Sequence, residues 1–441
     1  MNKIYKSLFK ISITLCMFLP NLLWANGGTL INSGDTAWML TSTALVLLMT
    51  IPGLAFFYGG LVRIENVLAV FMQAFITCCI VSIFWVVCGY SLVFTEGNAF
   101  IGSLDKLYLN GVNLNSVKGT IPESVLIAFQ MTFAIITPAL MLGAVADRIK
   151  LSSTILITAL WSILVYCPIA HWLWGPKGLL DGTGVENYTG LLNFGPAIDF
   201  AGGMVVHISS GISALVLCLV IGPRNNQNKA NTRPYSLAFS IIGACLLWVG
   251  WFGFNAGSAV AANGNAGLAL LVTHTSCASA AIIWMLIEWK VKGKPSIVGI
   301  ITGAVAGLVT VTPASGYINV GSALAFGAIS GAACFWAINY LKKKLGYDDS
   351  LDAFGVHGVG GVIGSILTGV FANKSVGGIS GLIEGNSDLL FAQIIGVIIT
   401  VAYSGAVTFV ILKLIKCFTD PRVDEQTELQ GLDKGLHGET L

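Results

Sequence analysis

The sequence predicts an all-α integral membrane protein: eleven transmembrane helices, arranged as a five-plus-five inverted repeat plus a final helix. Three observations predict it. The 441 residues are 55% hydrophobic and only 10% charged, where a soluble domain carries about 25% charged residues. Apolar runs recur along the whole length, and about 20 such residues cross a hydrocarbon core of about 30 Å. Basic residues fall on alternate loops. With a mean hydropathy of +0.81, a soluble globular domain is excluded, and a net charge of +2 singles out no partner.

The chain divides into three parts. Residues 1–25 read as a signal peptide: Lys3, Lys6 and Lys10 precede the apolar stretch Ile11 to Trp24, with a cleavage site after Ala25. The stretch is short for a span, and Asn26-Gly27-Gly28 follow at once, which favours cleavage over an uncleaved first helix. Residues 26–415 form the membrane domain. Residues 416–441 are a polar tail, which taken alone reads as solvated chain.

The expected spans are Ala37–Leu61, Asn66–Phe94, Ser124–Ala146, Ser152–Trp172, Phe200–Ile221, Ser236–Val260, Ala266–Ile287, Ile297–Thr312, Val320–Leu341, Ala353–Phe371 and Leu389–Leu414. Lysines and arginines gather on the cytoplasmic side of membrane proteins. With the N-terminus outside, sixteen of them fall on inside segments and four (Lys106, Lys118, Lys177 and Lys374) on outside loops. A miscount of one span would flip every later loop and destroy this split. The prediction is therefore N-terminus out, C-terminus in.

Spans one to five and six to ten then run in opposite directions, and such inverted repeats place a substrate path at their interface. Span five opens Asp199-Phe200-Ala201-Gly202-Gly203 and carries His207; span ten opens Asp352-Ala353-Phe354-Gly355 and carries His357. The Asp-to-His spacings differ, eight residues against five. The 52 glycines suit close helix packing and broken helices.

An ionisable residue inside a membrane helix is costly and is read as a functional candidate. His207 and His357 lie at equivalent places in the two repeats and could hydrogen-bond, since each neutral ring has one donor and one acceptor nitrogen. His274, in span seven, has no mate and reads equally as a packing residue. Asp199 reads as a helix N-cap that fixes the pore mouth, or as a charge that attracts a cation. Asp352 is expected to organise the loop before span ten. Aromatic rings cluster as Phe129 and Phe133 in span three, as Trp248, Trp251, Phe252 and Phe254 with Ser258 in span six, and as Trp172 and Trp174 after span four. Such rings attract a cation by their quadrupole, though spacing alone favours an interface belt or plain packing. The ten cysteines lie mostly in apolar runs without CxxC or Cys/His spacing, so neither a metal nor a cofactor is expected.

Three strings closely resemble the signatures of the ammonium transporter (Amt/Mep/Rh) family, bacterial Amt type. They are Asp199-Phe200-Ala201-Gly202-Gly203-Met204-Val205-Val206-His207, Gly250-Trp251-Phe252-Gly253-Phe254-Asn255-Ala256-Gly257-Ser258, and Asp348-Asp349-Ser350-Leu351-Asp352-Ala353-Phe354-Gly355-Val356-His357. The resemblance implies transport of ammonium or ammonia. Phe129, Phe133, Trp174 and Ser258 would recruit NH4+, and Phe133 and Phe254 would gate the pore. His207, His357, Trp251 and Thr312 would line it, and Asp199 would support the site. It further implies a homotrimer in the inner membrane of a bacterium, and a PII signalling protein at the tail. Met204 departs from the smaller or hydroxyl side chain common in the family. The main alternative is an ammonium sensor, against which stands the shortness of the tail. An intramembrane enzyme lacks a third ligand or a nucleophile dyad, and a carrier of larger amines would not suit bulky gate rings.

Overall fold

The computed structural model describes residues 31–180, 196–225 and 233–441. The expected signal peptide lies outside the described residues. Among the described residues, eleven helices are long and apolar enough to span a membrane: α1 Ser33–Leu61, α2 Ile64–Phe94, α3 Glu123–Val145, α4 Leu151–Trp174, α5 Gly203–Ile221, α6 Leu237–Gly257, α7 Gly264–Lys292, α8 Ile297–Ala314, α9 Val320–Leu345, α10 Phe354–Phe371 and α11 Ser387–Lys416. The protein is a multi-pass membrane protein.

Side-chain caps set many of the starts. Asn32, Ser236, Asn263, Ser296, Asn319 and Asn386 each accept a backbone N–H from the first turn of their helix, satisfying donors that a helix start leaves unpaired. Among the ends that differ from the expected spans, three do so for evident local reasons. Helix α4 runs to Trp174, so this residue is helical rather than in the loop; Gly175 is extended (ψ 155°), as a residue before proline prefers. Helix α6 ends at Gly257, leaving Ser258 as its C-cap. Helix α5 starts at Gly203 rather than Phe200, because Gly202 takes φ 110° and breaks the helix.

Helices α1 and α6 pack along each other, as do α3 with α5 and α8 with α10, and α11 covers α5 and α10. The first turns of α5 pack on the body of α10, and the first turns of α10 on the body of α5. This reciprocal, antiparallel crossing is the inverted repeat seen at its axis. The approach is close enough that a Cβ at Gly211 would run into the backbone of Gly358, and one at Gly361 would lie 3.0 Å from the carbonyl oxygen of Gly203.

The tail is docked and ordered, against the solvated chain that its composition suggested. Its partners are distant backbone groups. Lys150 N–H donates to Pro421 O (3.0 Å), and Val423 N–H to Arg148 O (3.1 Å). The Asp433 carboxylate accepts from Leu68 (3.1 Å) and Ala69 (2.7 Å) at the start of α2. Beneath it, buried Arg148 donates to Gly222 O (2.9 Å), Asp348 O and Ser350 Oγ (2.6 Å). Arg224 bridges Asp348 (2.6 Å) and Asp147 (3.4 Å).

Candidate functional site

A continuous line of rings connects two vestibules on opposite faces of the bundle. The wider vestibule, about 460 Å³, has Gln130, Phe133, Trp174, Asp199 and Ser258 in its wall. Trp174 is held there by its indole N–H, which donates to Asp199 O at 2.8 Å. Its ring meets Phe133 edge-on at 5.8 Å and 87°. Ser258 points its hydroxyl proton back to Phe254 O (2.8 Å), which leaves its oxygen lone pairs for other donors. Phe129 is buried and touches Phe133 edge-on at 5.0 Å, but it is not part of the vestibule wall.

Phe133 and Phe254 are stacked, 4.2 Å between centroids and 23° between planes. Both are buried, directly below the vestibule that Phe133 lines. His207 follows, stacked near Phe254 (6.1 Å) and Trp251 (5.4 Å). His357 lies next, with ring centroids 5.3 Å apart and Nδ1 facing Nδ1 at 3.3 Å. Trp251 is fixed by donating its indole N–H to Thr312 Oγ1 (2.9 Å), whose own proton goes to Leu308 O (2.8 Å). His357 reaches the second vestibule, about 170 Å³, beside Tyr58, Leu61, Thr302 and Asp352 on the tail side.

The Nδ1 contact has a chemical consequence. A neutral imidazole holds one N–H, so a neutral pair shares a single proton across this bond. The donating ring then presents a bare Nε2, and the accepting ring presents an Nε2–H. Nε2 of His207 is buried and has no hydrogen-bond partner among the described residues. A small solute that both donates and accepts suits such a pair; a bare cation with no proton to give does not, because its dehydration is uncompensated in an apolar channel.

Both histidines sit in wide π-type turns, Gly203–Ile208 and Phe354–Gly358. Each turn is preceded by a carboxylate. Asp199 accepts backbone N–H groups from Gly202 (2.9 Å), Gly203 (2.5 Å), Met204 (2.7 Å) and Val205 (3.0 Å). In α10 the corresponding acid is Asp349, not Asp352: it accepts from Ala353 (3.1 Å) and Phe354 (2.8 Å). Asp349 stands eight residues before His357, the spacing of Asp199 and His207. Asp352 matches Gly202 instead, with φ 60°, and is paired with Lys342 (2.6 Å). The mismatch of spacings in the sequence arose from pairing the wrong aspartate, and the equal spacing was the signal that could have found the right one.

The other candidates fall elsewhere. His171 is buried between Val93 O (2.8 Å) and Asn98 O (2.9 Å), anchoring the segment after α2. His274 lies on an exposed face of α7 against Trp248 (5.2 Å). Met204 points away from the rings; its sulfur would lie 2.9 Å from a Cβ at Gly396 of α11. Among the described residues no His/Cys/Asp/Glu group has metal-site geometry.

Residues 37–441 match the sequence profile of the Ammonium Transporter Family. A putative ammonium transporter of Methanothermobacter thermautotrophicus is 47% identical over 419 residues, covering 93% of this chain and 98% of that protein. An ammonium transporter of Bacillus subtilis is 45% identical over 410 residues, covering 92% and 98%. Among solved structures, Mep2 of Candida albicans superposes with a TM-score of 0.82 at 34% identity, covering 90% of this chain and 87% of that chain. A chain titled Sensor Amt Protein superposes with a TM-score of 0.83 at 28% identity, covering 92% and 98%.

Proposed function

Since this chain belongs to the ammonium transporter family over residues 37–441, a family of transporters and not of enzymes, we propose that it carries ammonium across the membrane by way of its ring-lined path. The observation that carries this reading is the sequence of stacked Phe133–Phe254 and paired His207–His357 between two open vestibules.

The wide vestibule is the outer one. There Phe133, Trp174 and Ser258, with Phe129 bracing Phe133, recruit NH4+: ring faces attract the cation by about 0.5–2 kcal/mol each, and the serine oxygen accepts an N–H. Ammonium gives up a proton near the phenylalanine gate and continues as neutral ammonia, which donates to and accepts from the histidine pair. Potassium has no proton to surrender and pays the full desolvation cost. Trp251 and Thr312 fix the wall beside His207, and Asp199 supports the mouth by tying the start of α5.

The mature chain lies in the inner membrane of a bacterium, with its N-terminus out, following removal of residues 1–25, and its tail in. It assembles as a homotrimer. His274, exposed on one protomer near the middle of a span, supports this, because a polar ring facing lipid is costly. The docked tail is the surface on which a PII signalling protein acts.

A sensor reading is kept by the likeness to the Sensor Amt Protein. Purified protein in liposomes, given an outside ammonium jump while current and internal pH are recorded, separates the two. A saturating current that potassium does not support means charge-carrying transport. Internal alkalinisation without current means passage of ammonia alone. Neither signal from folded protein favours the sensor.

A further inference from the structure

The rim of the wide vestibule carries a charge of the wrong sign for a cation-recruiting mouth. Residues Val117–Lys118 (β1) and Ile121–Pro122 (β2) form a short antiparallel hairpin, which turns at Gly119 with φ 60°. The hairpin is pinned: Asn32 N–H donates to Thr120 O (2.8 Å), and Thr120 Oγ1 donates to Asp35 (2.5 Å). It therefore holds Lys118 in the same wall as Phe133, Trp174 and Ser258.

Among the described residues, the charged groups in that wall are Lys118 and Asp199. Asp199 is buried and its carboxylate is taken by four backbone N–H groups. The nearest acid on the hairpin's own connection, Glu123, is held by Lys106 and by the Tyr90 hydroxyl (2.7 Å). Lys118 is exposed and forms no salt bridge among the described residues. Among the described residues, the exposed charge at this mouth is positive.

We propose that Lys118 is an affinity-setting residue: its ammonium group lowers the local concentration of cations at the vestibule and so raises the external ammonium concentration needed for half-maximal transport. This rests on the transport reading above. It acts through space, without touching the substrate, so the maximal rate is left alone and the effect fades with salt. A unit charge about 10 Å away in water alters the local concentration of a monovalent ion about twofold. Screening removes most of this once the Debye length falls to about 3 Å, near 1 M salt.

The test is ammonium-driven current or alkalinisation in liposomes bearing the full chain, at about 10 mM and about 1 M ionic strength, with Lys118→Ala, Lys118→Glu and Lys118→Arg. At low salt the half-saturating concentration is expected to fall about twofold in the alanine variant and about fourfold in the glutamate variant, and to stay unchanged in the arginine variant. At high salt all four proteins should converge, with equal maximal rates throughout. Equal half-saturation in all four at low salt overturns the proposal, as does a shift that arginine shares or that salt leaves intact. If the unsubstituted protein gives no signal at all, the transport reading itself has failed.

Discussion

Asp349 stands to His357 as Asp199 stands to His207: eight residues ahead, its carboxylate clamped on the N–H groups that open the next helix. A carboxylate at a helix start satisfies unpaired donors and meets the positive end of the helix dipole. The two clamps differ in strength, four donors against two.

The clamps predict unequal damage. Asp349→Ala should lower stability by about 1–2 kcal/mol, the usual scale of a lost N-cap. Asp199→Ala, which strips four buried donors, should cost more and reduce the yield of folded protein. Thermal unfolding in detergent ranks the two; an equal loss would contradict the geometry.

The histidine pair predicts a loss of discrimination. In the His207→Ala, His357→Ala double variant the donor–acceptor pair is gone while the apolar wall remains. The ratio of ammonium to potassium flux should fall by roughly tenfold or more, equivalent to about 1.4 kcal/mol. Flux assays in liposomes measure the ratio. Intact uptake with intact selectivity would remove the histidines from the mechanism.

Met204 and Gly396 predict coupling. Gly396→Val pushes a branched side chain against the Met204 sulfur and should destabilise by about 1–3 kcal/mol, the range for overpacking. Met204→Ala in the same chain should restore much of that loss. The double-mutant cycle, read by thermal unfolding, should show a coupling of about 1 kcal/mol; additive effects would place the two side chains out of contact.

Beneath the tail, the Arg224–Asp348 pair predicts a pH dependence. Burial pushes the Asp348 carboxyl up, but the hydrogen bonds and charge of Arg224 outweigh it and hold it well below the usual carboxylate range. A group depressed in the folded state contributes stability above its unfolded pKa of about 3.9, and loses it as pH falls toward the folded value. Asp348→Asn should therefore cost about 3 kcal/mol at neutral pH, as a broken buried pair does. The gap to the unsubstituted protein should narrow below about pH 4. Unfolding curves across pH check both the size and the sign.

Much of this architecture was legible in the chain because its signals are one-dimensional. Apolar length and the alternation of basic loops gave eleven spans whose count the structure matches. Phe254, His207 and His357 were legible through family-like strings and Phe133 through its clustering with Phe129, and the structure brings the four into one line. What stayed hidden depends on dihedral angles or on distant partners. The position equivalent to Gly202 is filled by Asp352 at positive φ, so the repeat is disguised where its backbone is most alike. The end of α4 turned on Pro176, and moved Trp174 from loop to helix. The order of the tail comes from Asn66, Leu68 and Ala69, more than 350 residues earlier in the chain, and no local pattern carries that.

The Nδ1–Nδ1 contact of His207 and His357 gives the ring-lined path an arrow. With a single proton between two Nδ1 atoms, the histidine pair has two mirror-related settings, proton on His207 or proton on His357, and each turns its donor toward one compartment and its acceptor toward the other. The duplicated fold makes the settings near-equivalent in shape, while the solutions they face are not. Reversing the setting moves the shared proton across the 3.3 Å contact, while the ring that receives it gives up its Nε2 proton to the path and the ring that loses it takes one up at Nε2, so both rings stay neutral. The crossing of α5 and α10 thus holds a reversible polarity that no side chain has to rotate to store.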